Sequence, residues 1–177
     1  MLLKKPLFRF IFLIAISYGS WFMLYEFWLK PNGSLDHFVT EYVTIGICRL
    51  LNLSGYVSHY TIALKPGETY IFIQPNIFPT VRIGASCNGL ELLALFTIFI
   101  ACYPGNMLYK FLYIVSGNLL IHGVNILRNY WLTILSVKHA SSFEFYHRYV
   151  FILLVYGVIF MMWIGWTNYF SFLKTRR

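Results

Sequence analysis

Gly84-Ala85-Ser86-Cys87-Asn88-Gly89-Leu90-Glu91-Leu92 runs on through Leu93 to Tyr103 as an apolar stretch. A polar start followed by an apolar continuation places a loop-to-helix junction at Cys87, with the helix carried into a bilayer. Residues 87–103 make a short span, about 25 Å at 1.5 Å per residue. Pro104-Gly105-Asn106 then turns the chain, and a second apolar helix begins near Leu108. A thiol at such a junction sits at a membrane surface, at a helix N-terminus.

Working outward, the composition agrees. Of 177 residues, 59% are hydrophobic, 20% aromatic and 11% charged, against about 25% charged in an ordinary soluble domain. The expected fold is an all-α polytopic membrane protein forming one integral domain over 1–177. The net charge of +8 comes mostly from residues that flank apolar runs. There they anchor and orient helices, so the charge does not point to nucleic acid.

Upstream, Lys4, Lys5 and Arg9 precede an apolar run that ends in Trp21-Phe22-Met23-Leu24-Tyr25-Glu26-Phe27-Trp28. This end lacks the small residues of a cleavage site, so the first span (7–28) reads as an uncleaved anchor with its N-terminus in the cytoplasm. Lys30-Pro31-Asn32-Gly33-Ser34 ends it. An outer loop over 30–85 follows. Leu35, Phe38, Val39, Tyr42, Val43, Gly46, Ile47 and Leu50 recur there at helical spacing. Asp36, His37, Thr40, Glu41, Thr44 and Arg49 fall on the other side. The pattern is an amphipathic helix, too charged to span. Tyr60, Ile62 and Leu64, the Pro66-Gly67 turn, and Tyr70, Phe72 and Gln74 then predict a small β-hairpin.

Downstream, the remaining spans are expected at 108–132 and 149–170, with a polar loop over 137–147. About four spans in all return the C-terminus to the cytoplasmic side. Basic residues cluster beside both termini and the 104–110 turn, which favours this orientation.

Depth assembles a candidate site. With Tyr109 at the inner interface, Arg128 lies about 28 Å further along the helix, near the outer interface. Cys87 opens the second span from outside, and His147 precedes the last one. A thiol, a guanidinium and an imidazole therefore share one layer. A thiolate is the nucleophilic form of cysteine, and helix N-terminal N–H groups or a neighbouring cation favour it. His147 offers proton transfer. Arg128 offers a permanent charge for a carbonyl, a carboxylate or a developing oxyanion. This set suits acyl transfer through a thioester.

Each residue also has a plainer reading: Cys87 as packing, Arg128 as a snorkelling helix end, His147 as an interfacial loop residue. Glu91, one helical turn from Cys87, offers a partner for Arg128 or His147. His122 and Asn118 are further polar residues inside the third helix, either on a proton path or in interhelical hydrogen bonds. Cys48, Cys87 and Cys102 have neither a CxxC spacing nor an even count, which argues against a disulfide framework or a zinc site. Two other function classes stay open. One is a non-catalytic membrane assembly factor or transporter subunit. The other is a thiol oxidoreductase, weakened by the lack of a nearby second cysteine.

Three of these segments resemble a known family. Ala85-Ser86-Cys87-Asn88-Gly89-Leu90 with Leu92-Leu93, Asn125-Ile126-Leu127-Arg128, and Phe145-Tyr146-His147 before an apolar run resemble the three signature elements of the exosortase/archaeosortase family. The resemblance covers about residues 56–170. The small size and Phe-Glu-Phe-Tyr-His-Arg-Tyr over 143–149 look most like the exosortase F branch of Bacteroidetes. It implies a membrane cysteine transpeptidase that cleaves C-terminal sorting signals of exported proteins at the outer (periplasmic) face of the bacterial inner membrane.

In that reading Cys87 is the nucleophile, Arg128 the basic stabiliser and His147 the proton-transfer partner, with Asn125 in support. No metal and no organic cofactor is implied. The partners are exported proteins with a C-terminal transmembrane signal, together with the lipid bilayer. Two departures stand out: Asn88 occupies a position where serine is usual, and the chain has fewer spans than many members. His139, a second histidine on the same predicted loop, competes with His147.

Overall fold

A computed structural model describes residues 6–65, 67–138 and 140–170. Three helical runs are long and apolar enough to cross a membrane: Phe8–Asn32, Met107–Lys138 and Phe143–Phe170. The protein is thus a helical membrane protein by its elements. The expected second span is a shorter apolar helix of thirteen residues, Leu90–Cys102, about 20 Å long.

The first run comprises α1 (Pro6–Leu24), a π turn at Tyr25–Leu29 and α2 (Lys30–Asn32). Gly33 ends it at φ 65°, a conformation open to glycine at little cost. α3 (Ser34–Leu53) is the amphipathic helix, but its inward stripe differs from the one expected. Asp36, Thr40, Val43, Thr44, Ile47, Cys48 and Leu51 are buried, while Phe38 and Tyr42 are exposed. Polar residues can face inward because each has a partner: Thr44 Oγ1 lies 2.6 Å from Thr69 Oγ1, and Thr40 Oγ1 donates to the Gly67 carbonyl.

The expected hairpin is a three-stranded antiparallel meander: β1 (Ser58–Ile62), β2 (Thr69–Ile73) and β3 (Val81–Ile83), in that order. Tyr70 pairs with Thr61 on one side and Arg82 on the other. The buried parity is Thr69, Ile71 and Ile73, with Ile83, and not that of Tyr70 and Phe72. The compact β-branched residues pack against α3, and the larger aromatic rings stay at the surface. Val43, Ile47, Cys48, Leu51, Ile71, Ile73, Ile83 and Ile134 form an outer core.

α4 (Leu90–Cys102) packs on α5 (Met107–Lys138). A Cβ at Gly117 would stand 2.3 Å from Phe96, so glycine is what lets the two helices meet. α4 stops where Tyr103 turns extended before Pro104, and Lys110 Nζ donates to the Ala101 carbonyl near that end. Phe96, Ile100, Ile121, Val155, Ile159 and Trp166 make a second core inside the helical bundle.

The polar loop expected over 137–147 is largely helix. α5 continues to Lys138, then α6 (Ala140–Phe145), a π turn at Tyr146–Val150, α7 (Phe151–Gly165) and a π turn at Trp166–Phe170 follow. Most of the polar residues there sit on helical turns at the end of α5 and the start of the segment leading into α7.

Candidate active site

Cys87 lies where the two cores meet. Its side chain packs on the outer core, and Leu92 and Leu93, just beyond it, pack on the bundle core. The local chain differs from a simple helix start. Ala85–Cys87 is a single 3-10 turn, Gly89 has φ 83°, and α4 begins only at Leu90. The left-handed glycine interrupts what would have been one continuous helix from Cys87. The helix N-terminus is occupied as well: Asn88 Oδ1 accepts the Leu90 N–H at 2.9 Å. Asn88, one residue before the Gly89 N-cap, thus satisfies the first N–H of α4 through a local side-chain turn.

α5 holds this turn in place. Asn125, Arg128 and Asn129 lie on the buried stripe of α5 together with Ile121 and Leu132. Asn125 Nδ2 donates to the Cys87 carbonyl at 2.9 Å, and Asn129 Nδ2 donates to the same oxygen at 3.1 Å. Two carboxamides on one carbonyl fix the backbone from which the thiol projects. Gly89 makes the approach possible, since a Cβ there would stand 3.0 Å from Asn125 Nδ2 and 3.2 Å from its Cγ.

A second set of bonds reaches the turn from the other side. Tyr25 Oη lies 2.9 and 3.1 Å from the two Asp36 carboxyl oxygens, and Asn88 Nδ2 donates to Asp36 Oδ1 at 2.9 Å. Asn88 also approaches Thr40 Oγ1 at 3.3 Å. All four side chains are buried. The first span, the amphipathic helix and the cysteine turn are thus joined by one polar network.

The three candidate catalytic residues line a single cleft of about 280 Å³, together with Ser86, Glu91 and Tyr156. Cys87 Sγ lies 3.9 Å from His147 Nε2. This is a long contact, with donor and acceptor set by the histidine tautomer. His147 sits on the π turn at Tyr146–Val150, where an extra residue re-aims side chains relative to a continuous α-helix. Its ring stacks on Phe143, centroids 5.7 Å apart.

Arg128 is only 9% exposed. Its Nη1 reaches Asn125 Oδ1 at 3.5 Å, its Nε is buried without a hydrogen bond, and no described carboxylate pairs with it. A buried guanidinium held this way has donors to spare for a ligand.

Glu91 also lines the cleft but pairs with neither Arg128 nor His147 among the described ion pairs. With α4 starting at Leu90, it is a first-turn residue that stays exposed, and is not stacked one turn from Cys87 on a shared helix. His139 lies outside the described residues. His122 does not line the cleft, and Asn118 hydrogen-bonds Thr97 across the α4–α5 interface. Asn129 and the Tyr25–Asp36–Asn88 network were not anticipated from the sequence. Asn129 had a usable signal, since it stands four residues from Asn125 on one helix face. The network had none, because its members are far apart in the chain.

Among the described residues no group of three or more His, Cys, Asp or Glu side chains gathers to hold a metal ion. No family model matches the chain, no curated protein matches it, and no solved structure matches it.

Proposed function

We propose that this chain is an exosortase-like membrane cysteine transpeptidase, acting at the outer face of a bacterial inner membrane on exported proteins that carry a C-terminal transmembrane signal. The observation that carries the proposal is the convergence of Cys87, His147 and a buried, carboxylate-free Arg128, from three separate segments, on one cleft. The sequence resemblance supports the same reading. α4 acts as a fourth, short crossing, which keeps the cysteine turn at the outer surface.

The chemistry runs in two balanced halves. The Cys87 thiol gives its proton to His147 Nε2 as sulfur bonds to the scissile carbonyl carbon. The carbonyl oxygen takes up negative charge beside the Arg128 guanidinium. The intermediate then collapses: the C–N bond breaks, the amine leaves with the proton from His147, and a thioester remains. An incoming acceptor nucleophile loses a proton to His147 as it attacks the thioester. The C–S bond breaks and sulfur recovers that proton. No redox change occurs, and the acceptor's identity decides between transfer and hydrolysis.

The test is co-expression with an exported protein encoded beside this chain's gene that ends in a short motif, an apolar helix and a basic tail. Wild type should shorten this protein at its anchor. Cys87→Ala should leave it full length, and normal processing by Cys87→Ala would overturn the proposal.

A further inference from the structure

Next to the reactive cleft lies a second one, about 350 Å³, lined by Thr80, Val81, Arg82, Ser136 and Phe143. Phe143 separates the two, because its ring also stacks on His147. The second cleft runs along β3, one of the two edge strands of the sheet.

The ladder shows which backbone groups this strand leaves open. Ala63 N–H bonds the Glu68 carbonyl and Gln74 N–H bonds the Val57 carbonyl, so the even-numbered residues of β2 bond toward β1. The odd-numbered ones bond toward β3: Thr80 N–H reaches the Ile71 carbonyl at 2.7 Å, and Ile73 N–H reaches Thr80 Oγ1. In an antiparallel ladder the inward and outward residues alternate. Val81 and Ile83, opposite Ile71 and Thr69, therefore bond inward. Arg82, between them, turns its N–H and C=O to the open edge. No described residue bonds those two groups, and the Arg82 side chain, 62% exposed, donates to the Glu68 carboxylate at 3.4 Å.

We infer that β3 is the docking edge for the extended segment of a substrate polypeptide, which pairs with the Arg82 backbone and passes over Phe143 to bring its scissile bond to Cys87. The inference rests on the proposed transpeptidase reading and adds to it the way substrate is held. From Arg82 to Cys87 is five residues of chain, at most about 17 Å, a reach that roughly five extended peptide residues match. Strand addition supplies affinity through main-chain bonds while side-chain pockets set specificity. Here the pocket is the one beside Ser136 and Phe143. The edge is only three residues long and carries Arg82, which restrains non-specific strand pairing but leaves one N–H and C=O pair to set the register of a peptide.

Proline separates this role from a side-chain role, because an edge strand tolerates proline where the N–H faces outward. Arg82→Pro and Arg82→Ala would be assayed on the same anchored substrate, with alkylation of Cys87 by iodoacetamide as a check on the turn. Losing one hydrogen bond should raise KM for Arg82→Pro about five- to tenfold. Arg82→Ala, which keeps the backbone N–H, should raise KM by less than Arg82→Pro does, and Cys87 alkylation should be unchanged in both. Equal KM values in wild type and Arg82→Pro overturn the inference, and so does an equal rise in both variants.

If Arg82→Pro fails to fold, replacing substrate amides one at a time by esters reads the same bonds without altering the protein. A single ester position that raises KM supports docking at the edge, and no sensitive position overturns it. Wild type that does not process the substrate at all would count against the transpeptidase reading. A wild type that processes it while showing no backbone sensitivity counts against the edge alone.

Discussion

At the scale of single residues, the cysteine turn depends most on Gly89. Its φ of 83° disfavours any side chain, and a Cβ would meet the Asn125 carboxamide at 3.0–3.2 Å. Asn125 in turn holds the Cys87 carbonyl. Gly89→Ala should therefore cost about 1–2 kcal/mol from backbone conformation alone and displace Asn125 as well. The expected outcome is a lower thermal midpoint in detergent together with a changed rate of Cys87 alkylation. A variant that keeps both at wild-type values would show that the turn does not need the left-handed residue. Arg128 lines the cleft, and no described carboxylate pairs with it, so its charge is not spent on an ion pair among the described residues.

At the scale of elements, α3 links parts of the chain that lie far apart in sequence. Asp36 in its first turn receives the Tyr25 hydroxyl and the Asn88 carboxamide, so it ties the end of the first helical run to the turn that precedes α4. Asp36→Ala would leave Tyr25 and Asn88, 5% and 1% exposed, without this acceptor. Asn88 keeps Thr40 Oγ1, so the Tyr25 hydroxyl is the group that loses its described partner; at about 1–3 kcal/mol for such a buried group, a loss of about that size is expected in a chemical denaturation series. Asp36→Asn keeps an acceptor oxygen and should recover part of that loss. Equal stability of Asp36→Ala and wild type would show that the network does not hold these elements together.

At the scale of the whole molecule, the three cysteines report on orientation. Cys87 opens into the cleft, Cys48 is 7% exposed in the outer core, and Cys102 ends α4, about 18 Å along the helix from Leu90. Burial pushes the Cys48 thiol up from its ordinary value, so its reactive thiolate is scarcer at neutral pH. In single-cysteine variants, a membrane-impermeant maleimide added outside intact cells should label Cys87 fast. Cys48 should label slowly, gaining as the pH is raised, and Cys102 should label only after the membrane is opened. Labelling of Cys102 but not Cys87 from outside would reverse the orientation.

Much of this was legible along the chain. Low charge content, apolar runs and flanking aromatic and basic residues announce a helical membrane protein. The 1.5 Å rise converts residue number into position along a helix, which leads to the expectation that Cys87, Arg128 and His147 lie at one level. Depth is a local property, set by each helix and the bilayer. Which face of a helix turns inward is not. The inward side of α3 carries Asp36, Thr40 and Thr44 because Tyr25, Asn88, Gly67 and Thr69 from elsewhere in the chain satisfy them. The start of α4 at Leu90 follows from Gly89 packing on Asn125, and helical periodicity alone does not reveal it. The sequence by itself determined the class of the protein and pointed to Cys87, Arg128 and His147 as a candidate set. Tertiary structure decided that those groups share one cleft and that Asn129, Asp36 and Asn88 hold it, because azimuth and hydrogen-bond partners arise only when elements distant in sequence pack together.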